Sequence, residues 1–197
     1  MTTKVNVLFD GGFYSQKFYE QNKKYPTPKD VIKEVEKIMK LVREKTNGDT
    51  NDILFRIYYY DCKPFGDKIK DPNGEFIDYS NSNLYASKNN FLKKLCKEDK
   101  VALRIGELSF DGWKIDHHNH NKWRPDFKQK SVDMKVGLDM AWMGTKSIVD
   151  KIVLVAGDSD FVSPIKFVRK EGLQVYLYKM GHRVKETLID HCDFVLS

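Results

Sequence analysis

Five short runs of apolar residues alternate along the chain with segments in which apolar residues recur every three or four positions. Unbroken apolar runs are typical of strands covered on both faces, and the longer spacing is typical of amphipathic helices. The runs predict strands at Val5–Phe9, Ile53–Tyr60, Val101–Phe110, Lys151–Val155 and Leu173–Tyr178. The periodic segments predict helices near Phe13–Asn22, Pro28–Lys45, Asn81–Lys97, Ser131–Met143, Phe161–Glu171 and His182–His191, before a short extended piece at Phe194–Leu196.

Strands that alternate with helices predict an α/β fold, a three-layer α/β/α sandwich around a mainly parallel sheet of five strands. Right-handed crossovers restrict the strand orders, and the common orders place the first strand beside a later one where the winding reverses. We expect the order 3-2-1-4-5, in which the first and fourth strands are neighbours. No linker or internal repeat interrupts the pattern, so residues 1–197 are expected to form a single domain.

Two segments depart from this alternation. Cys62–Tyr79 contains two prolines and two glycines and is expected to be a long excursion from the sheet. Asp111–Gln129 has little periodicity and is expected to be an irregular loop. It includes the sequence His-His-Asn-His at 117–120, for which a polar surface loop is favoured over a zinc site, because zinc ligands usually come from separated positions.

Acidic residues lie within a few residues of the ends of two of the predicted strands. Asp10 ends the first strand before two glycines, and Asp158 and Asp160 follow the fourth strand. Asp133 lies in the first turn of the helix that precedes the fourth strand, with Ser131 as its expected N-cap. Any one of these aspartates is most simply a capping or turn residue. Asp10, Asp158 and Asp160 together predict a cluster at the carboxyl edge of the sheet, where neighbouring parallel strands end. Asp133 joins this cluster only if its helix starts at the same edge, which the strand order does not determine.

Clustered carboxylates repel one another, so they are stable as anions only beside cations. Hard divalent ions such as Mg²⁺ or Mn²⁺ prefer oxygen ligands, and they activate water for attack on a phosphodiester. The chain has 34 Lys and Arg against 28 Asp and Glu, a net charge of +6. A basic protein with a concentrated acidic site suggests a polyanionic substrate.

Several basic and aromatic residues are candidates for contact with nucleic acid. Single-stranded RNA is bound by aromatic rings that stack on bases and by cations that contact phosphates. Two alternatives to RNA contact remain: the tryptophans could pack under the loop as part of the core, and the basic residues could form an ordinary solvated helix face. The candidates are Trp123 and Arg124 in the irregular loop, Lys130 just before Asp133, and Lys179 and Arg183 after the fifth strand.

Composition narrows the class of protein further. No apolar run approaches the roughly 20 residues of a membrane helix, and the N-terminus does not resemble a signal peptide, so no membrane association is expected. Three widely spaced cysteines suit the reducing cytoplasm better than a disulfide framework. A homodimer is compatible with a compact basic nuclease, although no residue indicates one.

The motifs resemble those of a known family. The strand followed by Asp10-Gly11, the run Lys130-Ser-Val-Asp133 with Asp139 six residues on, and Gly157-Asp-Ser-Asp-Phe161 resemble the NYN domain, a branch of the PIN-like ribonuclease superfamily. The LabA-like bacterial subgroup is the nearest match, in part because the second strand ends in Tyr-Tyr-Tyr-Asp at 58–61.

This resemblance implies a PIN-like sandwich and metal-dependent cleavage of single-stranded RNA. It assigns metal binding and catalysis to Asp10, Asp133, Asp158 and Asp160, with Ser159 and Asp139 in supporting roles. Many family members have asparagine where this chain has Phe13, which favours a second hypothesis, a regulatory module that binds RNA or a protein without turnover. A phosphatase with a nucleophilic aspartate is a weaker alternative, because that class needs a second aspartate at the position of Gly12.

Overall fold

The protein is built around a mixed sheet of seven strands. A computed structural model describes residues 2–46, 51–116 and 122–196, and within these residues it shows six helices and a separate two-stranded hairpin. The strands are β1 (Thr2–Asp10), β2 (Asn51–Cys62), β3 (Lys68–Lys70), β4 (Phe76–Asp78), β5 (Val101–Asp116), β6 (Lys122–Lys130), β7 (Lys151–Val155), β8 (Gln174–Tyr178) and β9 (Phe194–Leu196). The helices are α1 (Gly11–Asn22), α2 (Pro28–Lys45), α3 (Asn83–Leu95), α4 (Val132–Thr145), α5 (Val162–Lys170) and α6 (Glu186–Ile189).

The strand order is β6-β5-β2-β1-β7-β8-β9. The five strands predicted from the sequence correspond to β1, β2, β5, β7 and β8, and their order agrees with the predicted 3-2-1-4-5. They are mutually parallel. The predicted size of the sheet was wrong, because β9 adds a parallel strand beside β8 and β6 adds an antiparallel strand beside β5.

The expected loop at Asp111–Gln129 is largely a β-hairpin. Strand β5 continues to Asp116, and β6 returns beside it from Lys122 to Lys130. Cross-strand contacts hold the pair together, among them the Phe110 and Phe127 rings at 6.1 Å and an ion pair of Lys114 with Asp126 at 2.6 Å. The histidines at 117–120 lie outside the described residues, so the zinc and loop interpretations of them stay predictions.

This hairpin projects beyond the carboxyl edge of the sheet. Pairing of β5 with β2 ends where Gly106 lies opposite Cys62, whereas pairing with β6 continues from Glu107 to Asp116. The projecting part therefore rises beside the edge at which β1, β2 and β7 end. The excursion after β2 lies near it, since the Trp113 indole donates a hydrogen bond to the Lys70 carbonyl at 3.0 Å.

Helices cover both faces of the sheet, and side chains alternate between two cores. Val5, Val7 and Phe9 of β1 pack with α1, α2 and α3, while Leu8 packs with α4, α5 and α6. This alternation follows from the two-residue period of a strand. Within the described ranges, every helix is too short or too polar to cross a bilayer.

Two local predictions need correction. The last helix is one turn, Glu186–Ile189, rather than 182–191, because residues 180–185 form an irregular connection held to α1 by the Gln21 amide, which donates to the Met180 carbonyl at 2.8 Å. Ser131 precedes α4 but makes no capping hydrogen bond with its side chain. Its φ of 68° marks the sharp turn that joins the end of β6 to α4.

A buried ion pair closes the opposite, amino edge of the sheet. Lys151 at the start of β7 contacts the Asp52 carboxylate at 2.6 Å, and both side chains are almost fully buried. The Thr3 hydroxyl also donates to Asp52. Because β1, β2 and β7 each supply one of these residues, the interaction holds the three central strands in register.

Candidate active site at the carboxyl edge

Asp10 and Asp158 end neighbouring strands at the same edge of the sheet. Phe9 pairs with Val155, so the residues that follow β1 and β7 emerge side by side. Asp10 is the N-cap of α1, and its Oδ1 accepts a hydrogen bond from the Phe13 N–H at 3.1 Å. Asp158 caps the next turn in the same way, by accepting from the Asp160 N–H at 3.0 Å. Both aspartates thus take the simple capping role, and they lie at the neighbouring ends of β1 and β7, a place that we call the acidic crevice.

Asp133 joins this crevice because α4 begins at the carboxyl edge, which the sequence left open. Strand β6 ends at Lys130 opposite Glu107, and the chain then turns at Ser131 into α4. The pKa directions agree with this placement, since the charge of Asp133 contributes to the raised pKa of Asp10, and the charges of Asp158 and Asp160 contribute to that of Asp133. Asp10, Asp133 and Asp158 thus belong to elements that end or begin at the same edge of the sheet, and their joint role as a metal site stays a prediction.

The surroundings of Asp10 and Asp133 disfavour the ionised form of each carboxyl group. Burial is the largest cause that raises the pKa of Asp10 to about 6; the charge of Asp133 and, more weakly, of Asp61 raises it further. Hydrogen bonds from the backbone N–H groups of Phe13 and Gly12 oppose this shift. The pKa of Asp133 is raised by burial, then by Asp158 and Asp160. No cation is among these causes, so a bound cation would relieve the repulsion.

The donor set suits a hard divalent ion in its chemistry. Carboxylate oxygens are the ligands that Mg²⁺ and Mn²⁺ prefer, and the charge of Asp133 contributes to the raised pKa of Asp10. In the part of the chain that the structure describes, no three His, Cys, Asp or Glu side chains converge as a ligand group. An ion would therefore have to draw the carboxylates together, which is feasible because Asp158 and Asp160 are exposed.

Phe13 occupies the space between the ends of β1 and β7. Its ring lies against Gly157, where a Cβ would come within 2.6 Å of the Phe13 Cε2. A glycine is therefore required at 157 while the ring keeps this position. The side chain that replaces the family asparagine thus presents carbon, rather than an amide, beside Asp10.

Asp61 is a further acidic residue that the sequence interpretation did not assign to the site. It is the second-last residue of β2, at the same edge of the sheet. It is 2% exposed, accepts from the Cys62 N–H at 2.8 Å, and forms an ion pair with Lys88 of α3. Its charge contributes to the raised pKa of Asp10. The signal was present in the sequence, since Asp61 ends an apolar strand just as Asp10 does.

The two residues expected in supporting roles have different surroundings. Asp139 lies on a face of α4 that is directed at the sheet, where one of its oxygens accepts from the Tyr60 hydroxyl at 3.0 Å and from Arg104 Nε at 2.7 Å. Ser159 lies in the crevice loop, and its hydroxyl accepts a hydrogen bond from Lys185 at 3.1 Å. Lys185 is thus a cation at the crevice that was not among the selected candidates.

The predicted nucleic-acid contacts are spread along the carboxyl edge. Lys130 is exposed at the base of the hairpin, next to the turn into α4. Arg124 and Trp123 lie six and seven residues further along β6, about 20 Å away at the rise of a strand. Lys179 and Arg183 lie in the connection after β8, on the other side of the crevice. The candidates therefore flank the acidic residues instead of surrounding them closely.

A family model and a solved structure are similar to this chain. The family model described as "NYN domain" matches residues 13–197. A crystal structure of a protein of unknown function from Vibrio parahaemolyticus is similar with a TM-score of 0.48 and 16% identity, over 99% of this chain and 92% of that chain. That likeness is too weak to carry an argument about function. A search of curated proteins gave no match.

Proposed function

Because the chain belongs to the NYN domain family, we propose that it is a ribonuclease that hydrolyses phosphodiester bonds of single-stranded RNA with Mg²⁺ or Mn²⁺. NYN domains have a PIN-like nuclease fold, which supports hydrolysis of RNA as the reaction class. The observation that carries the proposal is geometric: Asp10 and Asp158 follow from neighbouring parallel strands at one edge of the sheet, and α4, with Asp133 in its first turn, begins at that edge.

Asp10, Asp133, Asp158 and Asp160 would hold the metal. When bound, a divalent ion lowers the pKa of water and stabilises the negative charge that develops on the phosphate. The Phe13 N–H fixes one oxygen of Asp10 by a hydrogen bond of 3.1 Å. The Asp160 N–H fixes Asp158 in the same way. These contacts hold Asp10 and Asp158 at the ends of their strands.

Basic residues on both sides of the crevice would position the RNA strand. Lys130 is adjacent to α4 and its first-turn carboxylate, so it is the best placed of the candidates to contact a phosphate near the acidic residues. Lys179 and Arg183 would contact the strand on the far side. Trp123 and Arg124 would meet it about 20 Å along the hairpin, a distance of several nucleotides.

The finer assignments rest on the sequence. Membership of the LabA-like bacterial subgroup is proposed from the motifs alone. A cytoplasmic location is proposed because Cys62, Cys96 and Cys192 all carry free thiols.

Cleavage of a labelled single-stranded RNA in Mn²⁺, Mg²⁺ or EDTA tests the proposal. We expect metal-dependent cleavage that falls at least 100-fold, about 3 kcal/mol, in Asp10→Asn and in Asp158→Asn. Asp139→Asn is the matched control, since it makes the same chemical change in a carboxylate bonded to Tyr60 and Arg104. Intact RNA with the wild-type protein in every metal would refute the proposal.

A second candidate function is RNA binding without cleavage, and one observation favours it. The Phe13 ring against Gly157 places an apolar surface where the family has an amide. In that case the wild-type protein would bind RNA equally in EDTA and in Mg²⁺ and leave it intact. Phe13→Asn would then be expected to confer cleavage, whereas a nuclease already active with Phe13 excludes this alternative.

A further inference from the structure

A cavity of about 390 Å³ adjoins the acidic crevice and has no role in the chemistry described above. It lies between the carboxyl end of β2, helix α3 and the base of the projecting hairpin. Its volume is in the range of small-molecule sites. The excursion at Cys62–Tyr79 forms much of its wall. This irregular segment therefore has a structural role, since it encloses the cavity.

Aromatic rings make up one wall of the cavity. Phe65 and Phe127 lie with their centroids 4.9 Å apart, and Tyr79 packs edge-on against Phe127 at 5.4 Å. Tyr85 on α3 lies so close to the backbone of Gly66 that a Cβ there would be 2.6 Å from its ring. These contacts fix the rings in place, and fixed aromatic faces are the usual platform for an unpaired base.

Polar groups lie at the end of the cavity that faces the crevice. The Asp61 carboxylate and the Lys88 ammonium line it as an ion pair, and the Asp61 side chain is 2% exposed. Gln129 lines it from the hairpin, and its amide is 3.5 Å from the position that a Cβ on Gly12 would take. Acceptors and donors are thus both available to the edge of a base.

The cavity and the carboxylates are also contiguous. Asp61 lines the cavity and acts electrostatically on Asp10. Gly12 is two residues after Asp10, at the start of α1, and it faces Gln129. A nucleotide whose phosphate reached Asp10 would therefore have its base, or that of its neighbour, at the mouth of the cavity.

We propose that this cavity binds one unpaired nucleobase of the RNA strand, next to the phosphodiester at the acidic crevice. The inference rests on the proposed function and assigns to it a subsite for the substrate. The aromatic wall stacks on the base, and Asp61, Lys88 and Gln129 contact its polar edge. The subsite fixes the position of the strand, so it determines which phosphodiester lies at the carboxylates.

The test is an affinity measurement in EDTA with a 12-nucleotide single-stranded RNA in which one position at a time is abasic. For the wild-type protein we expect one abasic position to weaken binding about tenfold, the effect of losing one stacked base. The Phe65→Ala variant should bind the intact RNA about tenfold more weakly, with no further loss from that abasic position. Equal effects of every abasic position on both proteins would overturn the inference, as would absence of RNA binding.

A second variant tests the subsite without removing a packed ring, so its result does not depend on the fold of Phe65→Ala. Ser87 lines the cavity from an exposed position of α3, so Ser87→Trp would fill the space without removing a core contact. Asn90→Trp adds the same side chain at an exposed position of α3 that does not line the cavity. We expect an affinity loss of about tenfold for Ser87→Trp only. Similar affinities of the two variants would contradict the proposal.

The binding and cleavage experiments can contradict the base subsite and the nuclease proposal separately. Cleavage that depends on Asp10, combined with no coupling between the abasic position and Phe65, would leave the nuclease proposal standing and remove the subsite. Coupling without cleavage would retain the subsite and favour the non-catalytic RNA-binding module.

Discussion

Replacing Asp10 with asparagine is expected to make the metal-free protein more stable at neutral and alkaline pH. The carboxylate is held in a buried position near Asp133, and both effects penalise its charge. An amide carries no charge there. Asparagine is also as good an N-cap as aspartate, so the hydrogen bond from the Phe13 N–H that begins α1 is retained.

The magnitude follows from the pKa. Asp10 has an ordinary pKa of 3.8 in the unfolded chain and about 6 in the folded protein. Between these values the folded state holds the proton that the unfolded state has lost, so the free energy of unfolding decreases as pH rises. Above pH 6 the full deficit is present, roughly 3 kcal/mol at about 1.4 kcal/mol per pKa unit. Relative to wild type, Asp10→Asn should gain up to this amount at pH 8 and about half of it at pH 5.

Urea unfolding in EDTA at pH 5 and pH 8 measures the effect. Asp78→Asn is the matched control, because Asp78 also caps a turn, accepting from the Ser80 N–H at 3.0 Å. Its pKa is lowered, first by the Ser80 hydroxyl and also by Lys68. A lowered pKa means that ionisation stabilises the fold, so this variant should lose stability at pH 8.

An Asp10→Asn variant that is less stable than wild type at pH 8, or whose difference from wild type does not change with pH, would refute the reasoning. Addition of Mn²⁺ provides a further check. If the carboxylates hold the ion, Mn²⁺ should raise the stability of the wild-type protein and have little effect on Asp10→Asn.

Three other substitutions are expected to have measurable effects. Gly157→Ala should destabilise by about 1–3 kcal/mol in urea unfolding, because the new Cβ meets the Phe13 ring, and Phe13→Leu should restore most of the loss. Lys151→Met should destabilise by about 3–5 kcal/mol in the same assay, because it removes the ammonium from buried Asp52. Asp139→Asn should cost about 1 kcal/mol by loss of a charge-assisted hydrogen bond, and leave RNA cleavage within about twofold of wild type.

For each of these three substitutions, one result would contradict the expectation. A Gly157→Ala protein as stable as wild type would mean that the Phe13 ring is not confined between the strand ends. A loss of stability below about 1 kcal/mol for Lys151→Met would mean that water reaches the ion pair. A large cleavage defect in Asp139→Asn, with the fold intact, would move that residue into the reaction.

The sequence predicted β1, β7 and β8 well because each is a mostly apolar run that is largely buried on both faces. The burial of β7, complete from Lys151 to Val155, is the physical counterpart of that pattern. The positions of Asp10 and Asp158 followed, since residues after adjacent parallel strands must emerge together. The start of α4 could not be predicted in this way, because it depends on the direction of β6.

Strand β6 was missed because its residues are mostly charged and include Pro125. Its partner, β5, stabilises it through ring and ion contacts that no local pattern reveals. The cavity had no sequence signal either, since its lining comes from β2, the excursion, α3 and the hairpin. Asp61 could have been predicted, because it ends an apolar run as Asp10 does. The stretch after it, with two prolines and two glycines, instead indicated only a loop.

The composition of β6 has a consequence for self-association. As the outermost strand, it exposes unpaired backbone groups that could template pairing with another molecule. Lysines along β6 and Pro125, which has no backbone N–H, oppose such pairing. The other edge, β9, is three residues long and offers little to pair with. Replacing Pro125 and Lys128 by valine is thus a route by which this fold would become prone to fibre-like aggregation, whatever its activity towards RNA.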